Sequence, residues 1–211
     1  VKKYENLLFD FDGCLVTSID FWINIYKETF AAFNIHPSDQ EIMFHVGDWD
    51  IHTHFGIEDV DKFTEMVNSK LTNLQERQVL SKNVIEMLSA LEGSHNMAIV
   101  SSAVKGDILD ALTRNNIVHH FSAIIGVHEV KNYKPHPEPI YSAMSFLEAK
   151  PENSIMIGDS RKDIEAANNA GVDSILYYPP EHINTHDLDM LMTYNPTYVV
   201  NSLLEIVEIV G

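Results

Sequence analysis

Cysteine and positive charge are scarce in this sequence. Of its 211 residues one is a cysteine, Cys14, so no disulfide can form within the chain and nothing in the cysteine pattern indicates export. Lysine and arginine number 14 against 31 aspartate and glutamate residues, which gives a net charge of −17. This balance argues against nucleic acid and anionic membranes as partners, because both carry negative charge.

Long apolar runs, internal repeats and low-complexity tracts are also missing. No apolar stretch approaches the roughly 20 residues of a membrane-spanning helix, and the one after Val1–Glu5 is too short for a signal peptide. We therefore expect a soluble, cytoplasmic protein that is a monomer or a homodimer. An apolar content of 45% and a charged content of 21% are those of a globular chain, and the length suits one domain with a modest insertion.

Short apolar runs alternate with helical patterns along most of the chain. Apolar spacings of three and four predict helices, as at Trp22, Tyr26, Phe30 and Phe33, and a further helix is predicted at Arg161–Ala170, which Gly171 terminates. This alternation predicts an α/β fold with a Rossmann-like, mainly parallel sheet that helices cover on both faces. The runs that predict buried strands are Leu7–Phe9, Met97–Val100, Ala123–Gly126, Ser154–Gly158, Val172–Tyr178 and Thr197–Val200.

One long segment departs from the alternation. From Thr17 to Leu80 the pattern stays helical, with an aromatic face that includes Trp22 and Tyr26 and with a capping box at Ser38–Glu41. We predict that residues 1–16 and 81–211 form the core and that residues 17–80 form an inserted small helical cap.

The first predicted strand ends in two carboxylates, Asp10 and Asp12. Alternate side chains of an extended chain share a face, so the two acids point the same way and repel each other. A hard divalent cation such as Mg²⁺, which takes oxygen ligands, would relieve this repulsion. Gly13 allows a sharp turn beside the site. An ordinary Asp/Gly turn is the structural alternative.

Other polar side chains follow the later strands. Ser101 ends the second strand, Lys134 lies in the loop after the third, and Asp159 and Asp163 follow the fourth. Ligands of parallel sheets bind outside the carboxyl ends of the strands, so we expect these groups to meet Asp10 at one edge. Taken singly, each has a structural alternative, namely a helix cap for the serine, a solvated loop position for the lysine and helix-start acids for the aspartates.

These motifs resemble, in order and context, the four motifs of the haloacid dehalogenase-like phosphohydrolases. The matching residues are Asp10-Phe-Asp12-Gly13, Ser101, Lys134-Pro135 and Gly158-Asp159-Ser160-x-x-Asp163. The helical insertion is similar to the small cap of the subgroup that contains phosphoglycolate phosphatases and β-phosphoglucomutases. The chain departs from the family at Cys14, where threonine is usual, and at Thr17, where aspartate is frequent.

The resemblance implies a role for each residue. Asp10 would attack phosphorus and form a phosphoaspartate, and Asp12 would act as general acid and then general base. Ser101 and Lys134 would hold the phosphoryl oxygens. Mg²⁺ would be bound by Asp10, by the main-chain carbonyl of Asp12 and by Asp159, with Asp163 behind them. The dehalogenases of the family lack an acid equivalent to Asp12, so its presence favours phosphoryl transfer.

The cap loop Phe44–Trp49 is the expected source of substrate specificity. We predict that His45, Gly47, Asp48 and Trp49 contact a small phosphorylated metabolite, and that the chain is a Mg²⁺-dependent phosphatase of it. Two alternatives stay open: a phosphomutase of the β-phosphoglucomutase type, and a catalytically silent protein that binds phosphate in a regulatory role.

Overall fold

Six parallel strands form one sheet in the computed structural model, which describes residues 4–71 and 78–211 of the chain. Their order across the sheet is β3-β2-β1-β4-β5-β6, so the strand that carries Asp10 is central. The predicted α/β Rossmann-like fold is confirmed. In chain order the strands are β1 (Asn6–Phe9), β2 (Asn96–Val100), β3 (Ala123–Ile125), β4 (Ser154–Gly158), β5 (Asp173–Tyr177) and β6 (Tyr198–Val200).

The apolar run Leu7–Phe9 of β1 follows from burial on both sides of the sheet. Leu7 and Phe9 belong to one apolar cluster and Leu8 to the other, and all three are fully buried. Because successive side chains of a strand point to opposite faces, a central strand with both faces covered is apolar at consecutive positions, and its one polar residue, Asn6, has its side chain hydrogen-bonded to Asn96 and Asn153. The strand ends at Asp10, whose backbone N–H still donates to the carbonyl of Ile157, 2.8 Å away.

Helices cover the two faces of the sheet. On the side of Leu7 and Phe9 lie α5 (Val84–Leu91), α6 (Lys105–Arg114) and α10 (Leu203–Val210). On the side of Leu8 lie α7 (Glu138–Phe146) and α8 (Arg161–Ala170). A short helix α9 (Leu188–Met192), capped by Asp187, was not predicted, because five residues are too few to show a helical period.

Between β1 and α5 the chain forms helices with an apolar cluster of their own. The cluster is aromatic, with Phe30 packed against Phe55 and Phe63. The helices are α1 (Ile19–Ala31), α2 (Asp39–His45), α3 (Ile51–His54) and α4 (Val60–Lys70). The capping box predicted at the start of α2 is present: Ser38 accepts from the N–H of Glu41, whose carboxylate accepts from the N–H of Ser38.

The segment that leaves the core and the segment that returns to it lie side by side. Val16 pairs with Leu80 in an antiparallel bridge, and the N–H of Ser81 donates to the carbonyl of Leu15 at 2.9 Å. This crossing lies near the predicted cap limits of 17 and 80. Residues 72–77 of the predicted cap lie outside the described residues, so its boundaries stay a prediction. No helix among the described residues has the length and apolarity that crossing a bilayer requires.

Candidate active site

Asp10 and Asp12 open into one cavity above the carboxyl end of the sheet. Asp10 directly follows β1, and the chain then turns through Gly13, which has a φ of +83°. The cavity has a volume of about 330 Å³ and lies between this sheet edge and helices α1–α4. Ser101, Lys134 and Asp159 line the same cavity, so the structure brings five of the sequence-predicted groups together.

Lys134 is buried between two carboxylates. Its Nζ lies 2.7 Å from Oδ1 of Asp10 and 2.6 Å from Oδ1 of Asp163. Burial alone would lower the pKa of Lys134, but the two carboxylates outweigh it and raise the pKa above its usual value. Lys134 therefore keeps a fixed positive charge beside Asp10.

Asp163 is held at the start of α8. Its Oδ2 accepts hydrogen bonds from the backbone N–H and the hydroxyl of Ser160, at 3.0 and 2.6 Å. Its other oxygen binds Lys134. Asp163 is not among the residues that line the cavity, so it lies behind the lysine.

The two acids after β1 have raised pKa values. Burial is the main cause for Asp10, followed by repulsion from Asp163, and Lys134 offsets part of the rise. Burial also raises the pKa of Asp12, against hydrogen bonds from Ser18 and Trp22 that lower it. A raised pKa allows Asp12 to carry a proton nearer neutral pH than an exposed aspartate would.

Asp159 follows β4 and is 1% exposed. Its Oδ2 lies 3.0 Å from Nε2 of His186, a residue beyond β5. Burial alone would raise the pKa of Asp159, but the hydrogen bond and charge of His186, with smaller effects of His182 and Lys134, lower it below its usual value. Asp159 is therefore an ionised carboxylate.

Ser101 directly follows β2, and its hydroxyl contacts the backbone of the loop that comes after the strand. Its Oγ accepts from the backbone N–H of Ala103 at 3.1 Å, which is a turn contact within the loop, and the N-cap of α6 is Val104 rather than Ser101. An oxygen that accepts this bond still has its own hydrogen to donate, so the turn contact and a bond to a ligand in the cavity are compatible.

The acids at this edge fit a divalent cation. One carboxylate oxygen from each of Asp10, Asp159 and Asp163 lies within 4.8 Å of the others. Gly13 makes room for the cluster, since a Cβ at that position would lie 2.1 Å from Oδ2 of Asp159. Hard oxygen donors in a buried, acid-rich site are the ligands that Mg²⁺ prefers.

The cap loop reaches the cavity with three of its four predicted residues. Gly47, Asp48 and Trp49 line the cavity, whereas His45 does not. The ring of His45 instead hydrogen-bonds Asp48 at 3.1 Å and stacks on His54, with the ring centroids 3.9 Å apart. Burial is the main cause of a lowered pKa of His45.

Four residues of this site were not assigned to it from the sequence. Ser18 and Trp22 hold Asp12, His186 holds Asp159, and Lys162 lines the cavity. The rule that polar residues follow strand ends would have pointed to the loop after β5, which contains His186. Nothing in the spacing of Trp22 distinguishes it from the apolar face of α1.

A family model described as "Haloacid dehalogenase-like hydrolase" matches residues 7–177, most of the chain. The chain belongs to this family. The family predicted from the motifs is therefore confirmed, and the matched span contains all four strand-end motifs of the haloacid dehalogenase-like hydrolases.

Relatives of this hydrolase cover it from end to end. Proteins named pyrophosphatase PpaX are 27% identical to it in Oceanobacillus iheyensis, over 98% of this chain and 97% of the relative, and 27% identical in Halalkalibacterium halodurans, over 99% and 98%.

Solved structures share the fold. A haloacid dehalogenase-like hydrolase from Streptococcus pneumoniae superposes with a TM-score of 0.82 at 21% identity, covering 99% of both chains. A predicted phosphoglycolate phosphatase from Haemophilus somnus superposes with a TM-score of 0.80 at 22% identity, covering 99% of this chain and 98% of that one. These likenesses show that the chain shares the fold of these solved structures over nearly its whole length.

Proposed function

We propose that this hydrolase is a divalent-metal-dependent phosphatase of a small phosphorylated metabolite, with Asp10 as its nucleophile. The observation that carries the proposal is the shared cavity: Asp10, Asp12, Ser101, Lys134 and Asp159 all line it. These groups supply a nucleophile, an acid, two phosphoryl-binding groups and a cation ligand. A silent phosphate-binding protein would not need the first two.

In the first step an oxygen of Asp10 bonds to phosphorus while the bond from phosphorus to the leaving oxygen breaks. Asp12 gives its proton to that oxygen, in keeping with its raised pKa. The ammonium of Lys134 and the hydroxyl of Ser101 bind the non-bridging phosphoryl oxygens. The ion pair of Lys134 with Asp163 keeps the ammonium in place.

In the second step a water molecule replaces Asp10 on phosphorus. Asp12, now a carboxylate, takes a proton from the water as its oxygen bonds to phosphorus and the bond to Asp10 breaks. Free phosphate and the original carboxylate are the products. One group thus serves as acid and then as base, and its two hydrogen-bond partners, Ser18 and Trp22, keep it in place for both steps.

Asp10, Asp159 and the main-chain carbonyl of Asp12 would hold Mg²⁺, with Asp163 behind them. When bound, the cation supplies positive charge that neutralises the transferring phosphoryl group. Lys134 alone cannot balance the buried acids of this edge, because three carboxylates cluster there and its single ammonium contacts two of them.

The cavity supports an organic phosphate monoester as the substrate. Its volume of about 330 Å³ lies at the lower end of the range of roughly 300–1,000 Å³ for small-molecule sites. The cap side of the cavity is largely apolar, which suits a leaving group that contains carbon. The apolar side chains there are Ile19, Trp22, Tyr26, Met43, Val46, Ile51, Phe63, Val67 and Leu71.

Inorganic pyrophosphate is a second candidate substrate. The relatives named pyrophosphatase PpaX favour it, as does the amine of Lys162 in the cavity wall. The same five groups would cleave either substrate, because the chemistry at phosphorus is identical and the leaving group differs.

The experiment is a phosphate-release assay with Mg²⁺ on a panel of phosphorylated metabolites and pyrophosphate. Asp10→Asn is the matched control, because it removes the nucleophile and keeps the shape of the side chain. We expect turnover of one or a few compounds, loss of turnover in Asp10→Asn, and loss in excess chelator that Mg²⁺ reverses. Turnover that persists in Asp10→Asn would refute the mechanism.

Two other results would redirect the proposal. Phosphate release from no compound, together with an isomerised sugar phosphate among the products, would identify a phosphomutase. Binding of phosphorylated compounds with neither release nor isomerisation would identify a phosphate-binding protein.

A further inference from the structure

Two buried histidines follow β5 and have no part in the proposed chemistry. His182 and His186 are 7% and 4% exposed, and they lie beside the acids at the carboxyl end of the sheet. A buried imidazole needs a partner for its polar atoms, so each ring should have a structural or functional reason to be there.

The partner of His186 is Asp159. Their side chains are 2% and 1% exposed, and Nε2 of the ring lies 3.0 Å from Oδ2 of the carboxylate. An ionised carboxylate can only accept a hydrogen bond, so Nε2 carries the hydrogen and donates it. The hydroxyl of Thr185 lies 2.9 Å from Nδ1, which fixes the ring from its other side.

Two further contacts restrict the ring and the carboxylate. His182 stacks on His186 with the ring centroids 4.1 Å apart and the planes 9° from parallel. Burial lowers the pKa of His182 to about 4, so the stacked ring is neutral near pH 7. On the side of the carboxylate, Oδ2 of Asp159 lies over Gly13, 2.1 Å from the position a Cβ would take.

We propose that His186 is a positioning residue for the divalent cation, acting through Asp159. Its N–H binds Oδ2 and so fixes the orientation of the carboxylate, whose other oxygen is then left for the cation. A metal ligand held in advance binds the cation without the cost of ordering it at that moment. This inference rests on the metal role of Asp159 in the proposed function.

The test measures cation binding without turnover. Mn²⁺ is titrated into the metal-free protein, and the free ion is followed by its electron paramagnetic resonance signal. His186→Phe keeps a flat ring and removes the donor, and we expect Mn²⁺ to bind about 10–100-fold more weakly. His186→Gln keeps an N–H at similar reach and should bind within a few-fold of the unchanged protein.

Two more variants make the result specific. His182→Phe keeps the stacked ring and touches no carboxylate, so its Mn²⁺ affinity should stay within a few-fold. His186→Asn has the amide of glutamine on a shorter side chain and should bind weakly like His186→Phe. The Asn and Gln pair carries the test if the phenylalanine variant does not fold.

Activity separates positioning from general damage. In His186→Phe the Mg²⁺ concentration for half-maximal activity should rise by the same factor, while the KM for substrate at saturating Mg²⁺ stays within a few-fold. Unchanged Mn²⁺ affinity in His186→Phe, or equal weakening in His186→Gln, would overturn the inference. Loss of a bound Mn²⁺ in His182→Phe would also overturn it, because His182 would then be a ligand itself.

Asp159→Asn distinguishes the role of His186 from the metal role of Asp159 itself. Weak Mn²⁺ binding in Asp159→Asn with normal binding in His186→Phe would refute only the role of His186. Normal binding in Asp159→Asn would refute the metal site of the proposed function.

Discussion

Asp48 of the cap and Lys162 of the core form an ion pair at the rim of the cavity. Oδ1 of Asp48 lies 2.9 Å from Nζ of Lys162, and its Oδ2 lies 3.2 Å from the guanidinium of Arg161. The same lysine donates to the carbonyl of Val46 at 2.7 Å, and the arginine donates to that of Phe44 at 3.1 Å. These four contacts join the loop Phe44–Trp49 to the start of α8, so they hold this loop in place at the cavity.

Asp48→Asn should therefore loosen the attachment of this loop to α8. The side chain of Asp48 is 13% exposed, so we expect the variant to lose about 1–2 kcal/mol of the free energy that holds the loop to α8. This value lies between those for exposed and for buried ion pairs. This corresponds to a rise in KM of roughly 5–30-fold. The control is Asp50→Asn in the same loop, whose side chain is 65% exposed and whose KM should not change. Equal KM values for the two variants would contradict the role of Asp48.

The charge of Lys162 makes a contribution to stability that depends on pH. Burial lowers the pKa of Lys162 from 10.5 to about 8, although Asp48 opposes the shift. Between these two values the unfolded chain binds more protons than the folded one, so stability rises with pH. From about pH 7 to about pH 10 the protein should gain on the order of 2–3 kcal/mol relative to Lys162→Met. Denaturant unfolding of both proteins at each pH measures this difference, and a constant difference would contradict the prediction.

A comparison of Gly13 with Gly56 distinguishes the effect of a positive φ from the effect of crowding at the proposed metal site. Both have a positive φ, +83° and +71°, but a Cβ at Gly13 would lie 2.1 Å from Asp159, whereas nothing lies within 4 Å at Gly56. Gly56→Ala should cost about 1–2 kcal/mol of unfolding free energy and leave activity unchanged. Gly13→Ala should cost more than that and abolish activity, because the Asp159 carboxylate must move. Thermal unfolding and phosphate release measure both, and an active Gly13→Ala would contradict the contact.

The residues of the core site could be predicted from the sequence because a parallel sheet brings the carboxyl ends of its strands to one edge. Once β1, β2 and β4 are recognised, a parallel sheet must place Asp10, Ser101 and Asp159 at one edge, whatever the details of packing. The position of Asp163 behind Lys134 follows from the helix that begins at Arg161.

Contacts between the cap and the core could not be predicted in this way. Asp48 and Lys162 are 114 residues apart in the sequence, counting from 48 to 162, and no period or motif links them. Their pairing depends on how the cap packs over α8. The place of His45 outside the cavity lining likewise follows from a contact that no motif predicts, the hydrogen bond of its ring with Asp48.

Cys14 should be unreactive in the folded protein. The residue is completely buried, with 0% accessibility, and its Sγ lies 3.9 Å from the carbonyl oxygen of Ile157. Burial, together with the nearby charges of Asp10 and Asp159, raises the pKa of the thiol well above its usual value. Since only the thiolate reacts, a thiol-specific reagent at about pH 8 should label no cysteine before unfolding and one per chain after it. Cys14→Ala should keep activity within a few-fold, because the side chain packs in the core and takes no part in the chemistry. Rapid labelling of the folded protein, or loss of activity in Cys14→Ala with an unchanged melting temperature, would show that the thiol has a functional role.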